Sequence, residues 1–183
     1  MNPTEKDIIA QCQQGDTNAF RHLVQNYQQM IFSLGLKVLG DEEEAKDIVQ
    51  DTFLSAWQNI RRYDSRYALS TWLYTSASRR CFLRLKQMKR LAPLPGDELV
   101  LHRCMVDDNC QRQLENSELA AIVRLLSDGL GTKQRLVFTL SHFEGLSNTE
   151  IEETTGLDAK QVKSNLYAAR QIIKERLKHL GYE

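Results

Sequence analysis

Three groups of residues in this 183-residue chain have types and spacings suited to chemistry, and each suits recognition rather than catalysis. In the first, Tyr63, Tyr67, Trp72 and Tyr74 are interleaved with Arg61, Arg62, Arg66, Arg79 and Arg80. Arginines track phosphates while rings stack on unpaired bases, each stack contributing about 1–3 kcal/mol, so the combination suits single-stranded nucleic acid. Packing would account for one of Trp72 and Tyr74, but not for two tyrosines and three arginines in one loop. In the second, Lys160, Lys163, Ser164, Tyr167 and Gln171 share one face of a C-terminal helix, opposite Val162, Leu166, Ala169, Ile173 and Leu177. Lysine pairs with phosphate or guanine acceptors, serine and glutamine bond base edges, and tyrosine reaches a phosphate or a thymine methyl. The third is acidic: DEEEAKDIVQDTFLSAW, residues 41–57, offers Glu43, Asp47, Gln50 and Asp51 beside Phe53 and Leu54, both expected to be exposed. Such a face repels nucleic acid and suits a protein partner with basic side chains. Acidic residues at a helix start also complement the helix dipole, which explains residues 42–44 but not Asp51.

No catalytic grouping accompanies these faces. His22, His102, His142 and His179 lie far apart, and the sequence contains no phosphate-binding Gly-rich loop, no GxSxG and no HExxH. His102, Cys104 and Cys110 are too loosely spaced to read as a metal set, so neither a metal nor a cofactor is expected. Cys12, Cys81, Cys104 and Cys110 form no CxxC pair and are expected to be free thiols.

The elements that position the three faces are helices. Only three prolines and nine glycines punctuate the chain, and no alternating β-branched run is long enough for a sheet, so the fold class is all-α. With 42% hydrophobic and 26% charged residues the chain has the composition of a folded soluble protein. Its 24 basic and 24 acidic residues cancel, but they are segregated: residues 41–53 are acidic, residues 61–90 are basic, and the segment from Ala159 is basic again. Two separated basic surfaces suggest a polyanion touched at two places. The longest apolar run, Leu119 to Val123, is too short to span a bilayer and the N-terminus lacks signal-peptide features, so a cytoplasmic protein without membrane insertion is expected.

Residues 92–116 contain two of the prolines, a Pro-Gly turn signal and no sustained helical period, and read as a linker. Two small helical domains follow, residues 1–91 and 117–183. In the first, three helices and a long loop (Asn59 to Leu69) are expected. Phe20, Leu23, Val24, Tyr27, Ile31, Leu34 and Val38 form one apolar face, Asp41 and Glu44 form a capping box for the next helix, and Ser70 caps the third. In the second domain, Ser147 with Glu150 and Asp158 with Gln161 are successive capping boxes. Leu146 with Ile151 and Leu157 with Val162 are successive hydrophobic staples. Between the two helices Gly156 sits where a left-handed residue must end the first, the layout of a helix-turn-helix.

With these segments in order, the acidic helix, STWLYTSASRR, a linker, and RLVFTLSHFEGLSNTEIEETTGLDAKQVKSNLYAARQIIKERL, the chain closely resembles a bacterial sigma factor of the extracytoplasmic-function (ECF) class. The resemblance implies a non-enzymatic initiation subunit that binds core RNA polymerase and promoter DNA and is held by an anti-sigma factor. Position by position, it places Asp47, Ile48, Gln50, Asp51, Phe53, Leu54 and Trp57 on the polymerase clamp helices. It assigns Asn59 to Ser70 to capture of a flipped minus-ten base and Trp72 to Arg84 to the helix beside it, with Arg61, Arg62, Tyr63, Arg66, Tyr67, Trp72, Arg79 and Arg80 as the DNA contacts. It makes Lys160 to Arg170 the minus-thirty-five recognition helix, with contacts from Lys160, Gln161, Lys163, Ser164, Tyr167 and Arg170, and seats Leu136 to Phe143 on the polymerase flap. Arg79 and Leu83 stand where the family usually has Asn and Asp, and Asn165 and Ala168 where the recognition helix commonly has Arg, departures that bear on promoter sequence. Two other classes fit parts of the pattern: a one-component helix-turn-helix regulator, which needs a sensor pocket or dimer face, and a helical adaptor, which leaves Tyr63, Tyr67, Lys160 and Lys163 unexplained.

Overall fold

A computed structural model describes residues 4–91, 123–125 and 129–179, and among them every regular element is helical. The first half contains four helices rather than three. Thr4 opens α1 (Glu5–Gln13) with a capping box in which the Asp7 amide donates to Thr4 Oγ1 (3.3 Å) and the Thr4 amide to Asp7 Oδ2 (2.9 Å). Aspartate in the place of the usual Glu or Gln disguises that signal in the sequence. Asp16 caps α2 (Thr17–Leu39) by accepting from the amides of Asn18 (2.8 Å) and Ala19 (3.2 Å). Near its end Gly35 lets α3 (Glu42–Asn59) approach so closely that a Cβ there would lie 3.1 Å from the Ala45 methyl.

Two local expectations change. Asp41 accepts from the Glu44 amide (3.1 Å), but the Glu44 carboxylate does not complete the box; it bonds the Arg84 guanidinium instead, with Arg84 Nη2 at 2.7 Å from Glu44 Oε1. A full ionic partner outcompetes a neutral backbone amide. After a 3-10 turn (Ile60–Arg62), α4 (Leu69–Leu91) begins before Ser70, which therefore lies inside the first turn rather than at the cap. Leu69, Leu73, Ala77, Cys81 and Leu85 recur every four residues along α4 and are all buried. Cys12 and Cys81 are free and buried, and burial pushes the Cys81 thiol up to about 12. The linker at residues 92–116, with His102, Cys104 and Cys110, falls outside the described residues.

In the second half, α5 (Thr132–His142), α6 (Asn148–Thr155) and α7 (Ala159–His179) fold back onto the first. α4 packs on α2 and α3 and also on α5 and α6, and α2 touches α5. One continuous core therefore runs from Ile9 through Leu73 and Leu140 to Leu166. Polar bonds cross the same boundary: Lys37 Nζ pairs with Glu144 Oε1 at 2.8 Å, Lys89 Nζ donates to the Leu130 carbonyl at 2.6 Å, and the Thr139 hydroxyl donates to the Lys37 carbonyl at 3.4 Å. Burial, and next the Glu144 carboxylate, raise the pKa of the Tyr74 phenol far above its ordinary range, as expected of a side chain sealed at the junction. Neither half encloses its core alone, which resolves the small size of each.

A shared core predicts one cooperative unfolding transition. Both tryptophans, Trp57 and Trp72, lie in the first half, whereas helicity reports both halves. Fluorescence and far-ultraviolet circular dichroism should give coincident midpoints in urea. Glu144→Gln, which leaves Lys37 without its carboxylate, should cost about 1–2 kcal/mol because the pair is only partly shielded from water. The same variant should pull the two midpoints apart; coincidence in the variant would mean that the apolar contacts alone couple the halves.

Candidate functional site

The basic-aromatic loop is built around one buried ring. Tyr63 is 8% exposed, its ring lies 5.3 Å from that of Trp72, and its hydroxyl donates to the Tyr67 carbonyl, so the loop closes on its own side chain. From α1, Gln13 Nε2 donates to the carbonyls of Ile60 (3.2 Å) and Tyr63 (3.3 Å), anchoring the loop's first turn. Of the four aromatics, Tyr63 and Tyr74 are therefore buried supports, Tyr74 being the one of the Trp72–Tyr74 pair that packing accounts for. Tyr67 is 66% exposed and Trp72 is half-buried. The five arginines are divided as well. Arg61, Arg62 and Arg79 are exposed, Arg80 Nη1 bonds Ser76 Oγ on its own helix (2.9 Å), and Arg66 Nη2 pairs with Asp64 Oδ2 at 2.6 Å, which holds the Asp64 carboxyl below its usual range. Between the end of α3 and α4 a hollow of about 400 Å³ opens beside Asn59, Arg62, Trp72 and Arg80. Its walls pair cations and amides with one aromatic face, the combination that holds a single base and its phosphate.

On α3 the helical period divides the acidic segment. Asp47, Gln50, Asp51 and Leu54, at i, i+3, i+4 and i+7, are exposed and form one stripe. Ile48 and Phe53, expected on this surface, are instead core residues at 3% and 6% exposure; Phe53 meets the Phe20 ring edge-on at 6.2 Å. Trp57 is half-buried, its ring 4.9 Å from Phe20. These three set the angle of the helix, and the stripe is what it presents. Glu43 is already bonded to Lys46 (2.8 Å) and Glu44 to Arg84. Asp47 and Asp51 have no ion-pair partner among the described residues, although both lie in the field of Arg84.

In the helix-turn-helix the local signals form as their chemistry dictates. The Ser147 hydroxyl accepts from the Glu150 amide (3.3 Å) and the Ser147 amide donates to Glu150 Oε2 (2.8 Å). Asp158 Oδ1 accepts from the Gln161 amide (2.8 Å), but the Gln161 side chain does not return to the Asp158 amide, so this second box is only half formed. Gly156 ends α6 at φ 72°, and the space where its Cβ would stand is open. Val162, Leu166, Ala169 and Ile173 are buried, while Lys160, Gln161, Lys163, Ser164, Tyr167, Arg170 and Gln171 are exposed, Tyr167 at 67%. One partnership was not legible in the sequence: Arg170 Nε donates to His142 Nε2 at 3.1 Å, and the His142 ring stacks 4.4 Å from Phe138. To accept that bond Nε2 must be unprotonated. Burial first, and then the Arg170 charge, lower the His142 pKa.

Among the described residues no group of His, Cys, Asp and Glu is arranged to hold a metal ion, and no helix is long and apolar enough to cross a membrane.

Gly156→Ala should destabilise the chain by about 1–2 kcal/mol through backbone strain alone, since nothing crowds the new methyl. Thermal unfolding measures this. The His142 pKa predicts a pH dependence as well. Its folded value is depressed, so the unfolded chain binds the proton more readily, and the stability present above the ordinary histidine range is lost as pH falls through the depressed value. His142→Gln should flatten that slope, and Arg170→Gln should bring the titration of the His142 ring, followed by NMR, closer to the ordinary range.

Comparison with known proteins agrees with this arrangement. Residues 23–91 match the Sigma-70 region 2 family and residues 120–173 match Sigma-70, region 4. The chain is 30% identical over 182 residues to the ECF RNA polymerase sigma factor SigW of Bacillus subtilis, covering 96% of this chain and 97% of SigW. It is 27% identical over 187 residues to the RNA polymerase sigma-H factor of Pseudomonas aeruginosa, covering 96% and 95%. Its fold is shared with CnrH, solved in complex with the cytosolic domain of CnrY (TM-score 0.65, 23% identity, 94% of this chain and 96% of that one). It is also shared with RpoE of Bartonella quintana, solved with the anti-sigma factor NepR (TM-score 0.61, 18% identity, 87% and 96%). Two sigma-70 regions in this order, and a likeness to SigW that runs nearly end to end, mean that the chain belongs to the ECF family of RNA polymerase sigma factors.

Proposed function

We propose that this sigma factor docks on core RNA polymerase through the α3 stripe of Asp47, Gln50, Asp51 and Leu54 and, once docked, reads promoter DNA with both halves. In this reading Arg61, Arg62, Arg66, Tyr67, Trp72, Arg79 and Arg80 engage the minus-ten element as single strand. Lys160, Gln161, Lys163, Ser164, Tyr167 and Arg170 enter the minus-thirty-five duplex. Ile48, Phe53, Trp57 and Tyr63 act behind these surfaces by holding the backbone that carries them. One observation carries the proposal. Six large hydrophobic side chains are exposed among the described residues, and three of them, Leu54, Tyr67 and Tyr167, fall one in each of the three polar faces. Apolar surface left in water at the centre of a charged face marks a contact.

The packed arrangement of the halves adds a condition. Elements centred near minus ten and minus thirty-five are separated by about 85 Å of duplex at 3.4 Å per base pair. A compact chain of this length has a radius of gyration of about 16 Å. Reading both elements together therefore requires the second half to leave α4, and polymerase, by binding each half at its own station, supplies the separation. Each half then binds at the high effective concentration set by the other. Since CnrH and the B. quintana RpoE were both solved with a protein partner, an anti-sigma factor is proposed as the partner that competes with polymerase.

Asp51→Arg with Leu54→Ala should abolish pull-down of core polymerase while leaving helicity unchanged, as both side chains are exposed; undiminished binding would remove the stripe from the interface. Lys163→Ala should weaken binding of the holoenzyme to an upstream promoter element and reduce its salt slope by about one counterion. A loss confined to one base position with the slope intact would make Lys163 a base reader. Gel shifts at one salt concentration should show weak binding by the free chain and tight, sequence-specific binding with core enzyme. Tight specific binding by the free chain would favour a one-component regulator.

A further inference from the structure

We infer that the groove between α4 and the α5–α6 pair is a binding site for a small amphiphilic anion, an alkyl chain bearing a carboxylate. The groove is a hollow of about 400 Å³ at the junction of the two halves, within the size range of small-molecule sites. Phe82 and Leu83 of α4, Leu136 of α5 and Leu157 after α6 give it an apolar lining. Leu83 is 58% exposed, an apolar side chain left in water. Arg79, Lys86 and Lys133 stand around this lining, and among the described residues no aspartate or glutamate lines the groove with them. Four cations of the described residues are neutralised by carboxylates: Arg66 by Asp64, Arg84 by Glu44, Lys37 by Glu144 and Lys46 by Glu42 and Glu43. The three groove cations have no carboxylate partner among the described residues, and the Lys86 ammonium sits over the Phe82 ring, 4.6 Å from its centroid. A weakly held cation above an apolar surface favours an anion that brings its own hydrocarbon.

A second observation is independent of charge. Ser78 also lines the groove, is fully buried, and its hydroxyl has no hydrogen-bond partner among the described residues. A buried hydroxyl without a partner costs free energy that a ligand oxygen reaching it would recover. A bare inorganic anion would leave the apolar lining unfilled, and a cationic amphiphile would meet three like charges. An alkyl carboxylate satisfies the lining, the cations and the hydroxyl together.

Because both halves wall the groove, a bound ligand favours the packed arrangement over the open one, and by linkage it opposes whatever requires opening. That consequence rests on the opening proposed above, whereas the binding itself does not.

The test is calorimetric titration of the full chain with decanoate below its micellar concentration, beside decyltrimethylammonium and acetate. Decanoate should bind saturably at one per chain, and neither control should. Leu83→Asp and Lys133→Glu, both at exposed positions, should each weaken decanoate binding at least tenfold while leaving helicity and unliganded thermal unfolding unchanged. Equal binding of the two amphiphiles, absence of saturable binding, or full affinity in both variants would overturn the site. If decanoate binds as stated, it should also weaken capture of core polymerase by the chain. Unchanged capture in its presence would overturn the linkage to opening and leave the site standing.

Discussion

Burial of α4 on two sides is the constraint on which the remaining structure depends. One side of this helix closes the first half against α2 and α3, and the other receives α5 and α6 of the second. A helix enclosed in this way must be apolar along more than one stripe, and its sequence shows the cost. Leu69, Leu73, Ala77, Cys81 and Leu85 fill the inner stripe, while Tyr74 and Ser78 are buried beside it although both carry hydroxyls. What remains for solvent is narrow. It is on that remainder, and in the loop before it, that the arginines and the exposed rings are found.

The exposed basic-aromatic and acidic faces of this chain are supported by side chains buried or half-buried beneath them. Tyr63 closes the loop beneath Tyr67, Gln13 reaches from α1 to hold two of its carbonyls, and Phe20 receives both Phe53 and Trp57 beneath the acidic stripe. Aromatic packing and buried hydrogen bonds fix these positions because they exclude alternatives at close range. The exposed ion pairs, Asp64 with Arg66 and Glu43 with Lys46, contribute little to stability in water. Their effect is to remove charges from the surface, so that Asp47, Asp51 and the unpaired arginines define its polarity.

The two halves of this sigma factor pack together in one compact body. The contacts across the junction combine an apolar core with few polar bonds, of which the Lys37–Glu144 pair retains some exposure to water. Interfaces of this composition open at moderate free energy, as the proposed parting of the halves requires. The overall charge of this body is neutral because its acidic and basic faces offset one another.

The amino-acid sequence by itself determined most features that rest on contacts within about four residues. The helices, the Ser147 and Asp158 caps, the left-handed Gly156 and the two faces of α7 follow from hydrogen bonds and a 3.6-residue period that involve only neighbours in the chain. The family likewise was readable, since the order of the acidic, basic-aromatic and helix-turn-helix segments is a property of the chain. Tertiary structure alone decided which members of each pattern face outward. Ile48 and Phe53 lie within one helical turn of Asp51 and Leu54, yet contacts with α2 bury the first pair and leave the second exposed. It decided that Tyr63 and Tyr74 support rather than stack, that Glu44 turns from its cap to Arg84, and that Arg170 meets His142. It also decided that two segments separable in sequence share one core. Each of these outcomes depends on a partner distant in the chain, and apolar burial, being non-directional, carries no mark in the local sequence of which partner it will find.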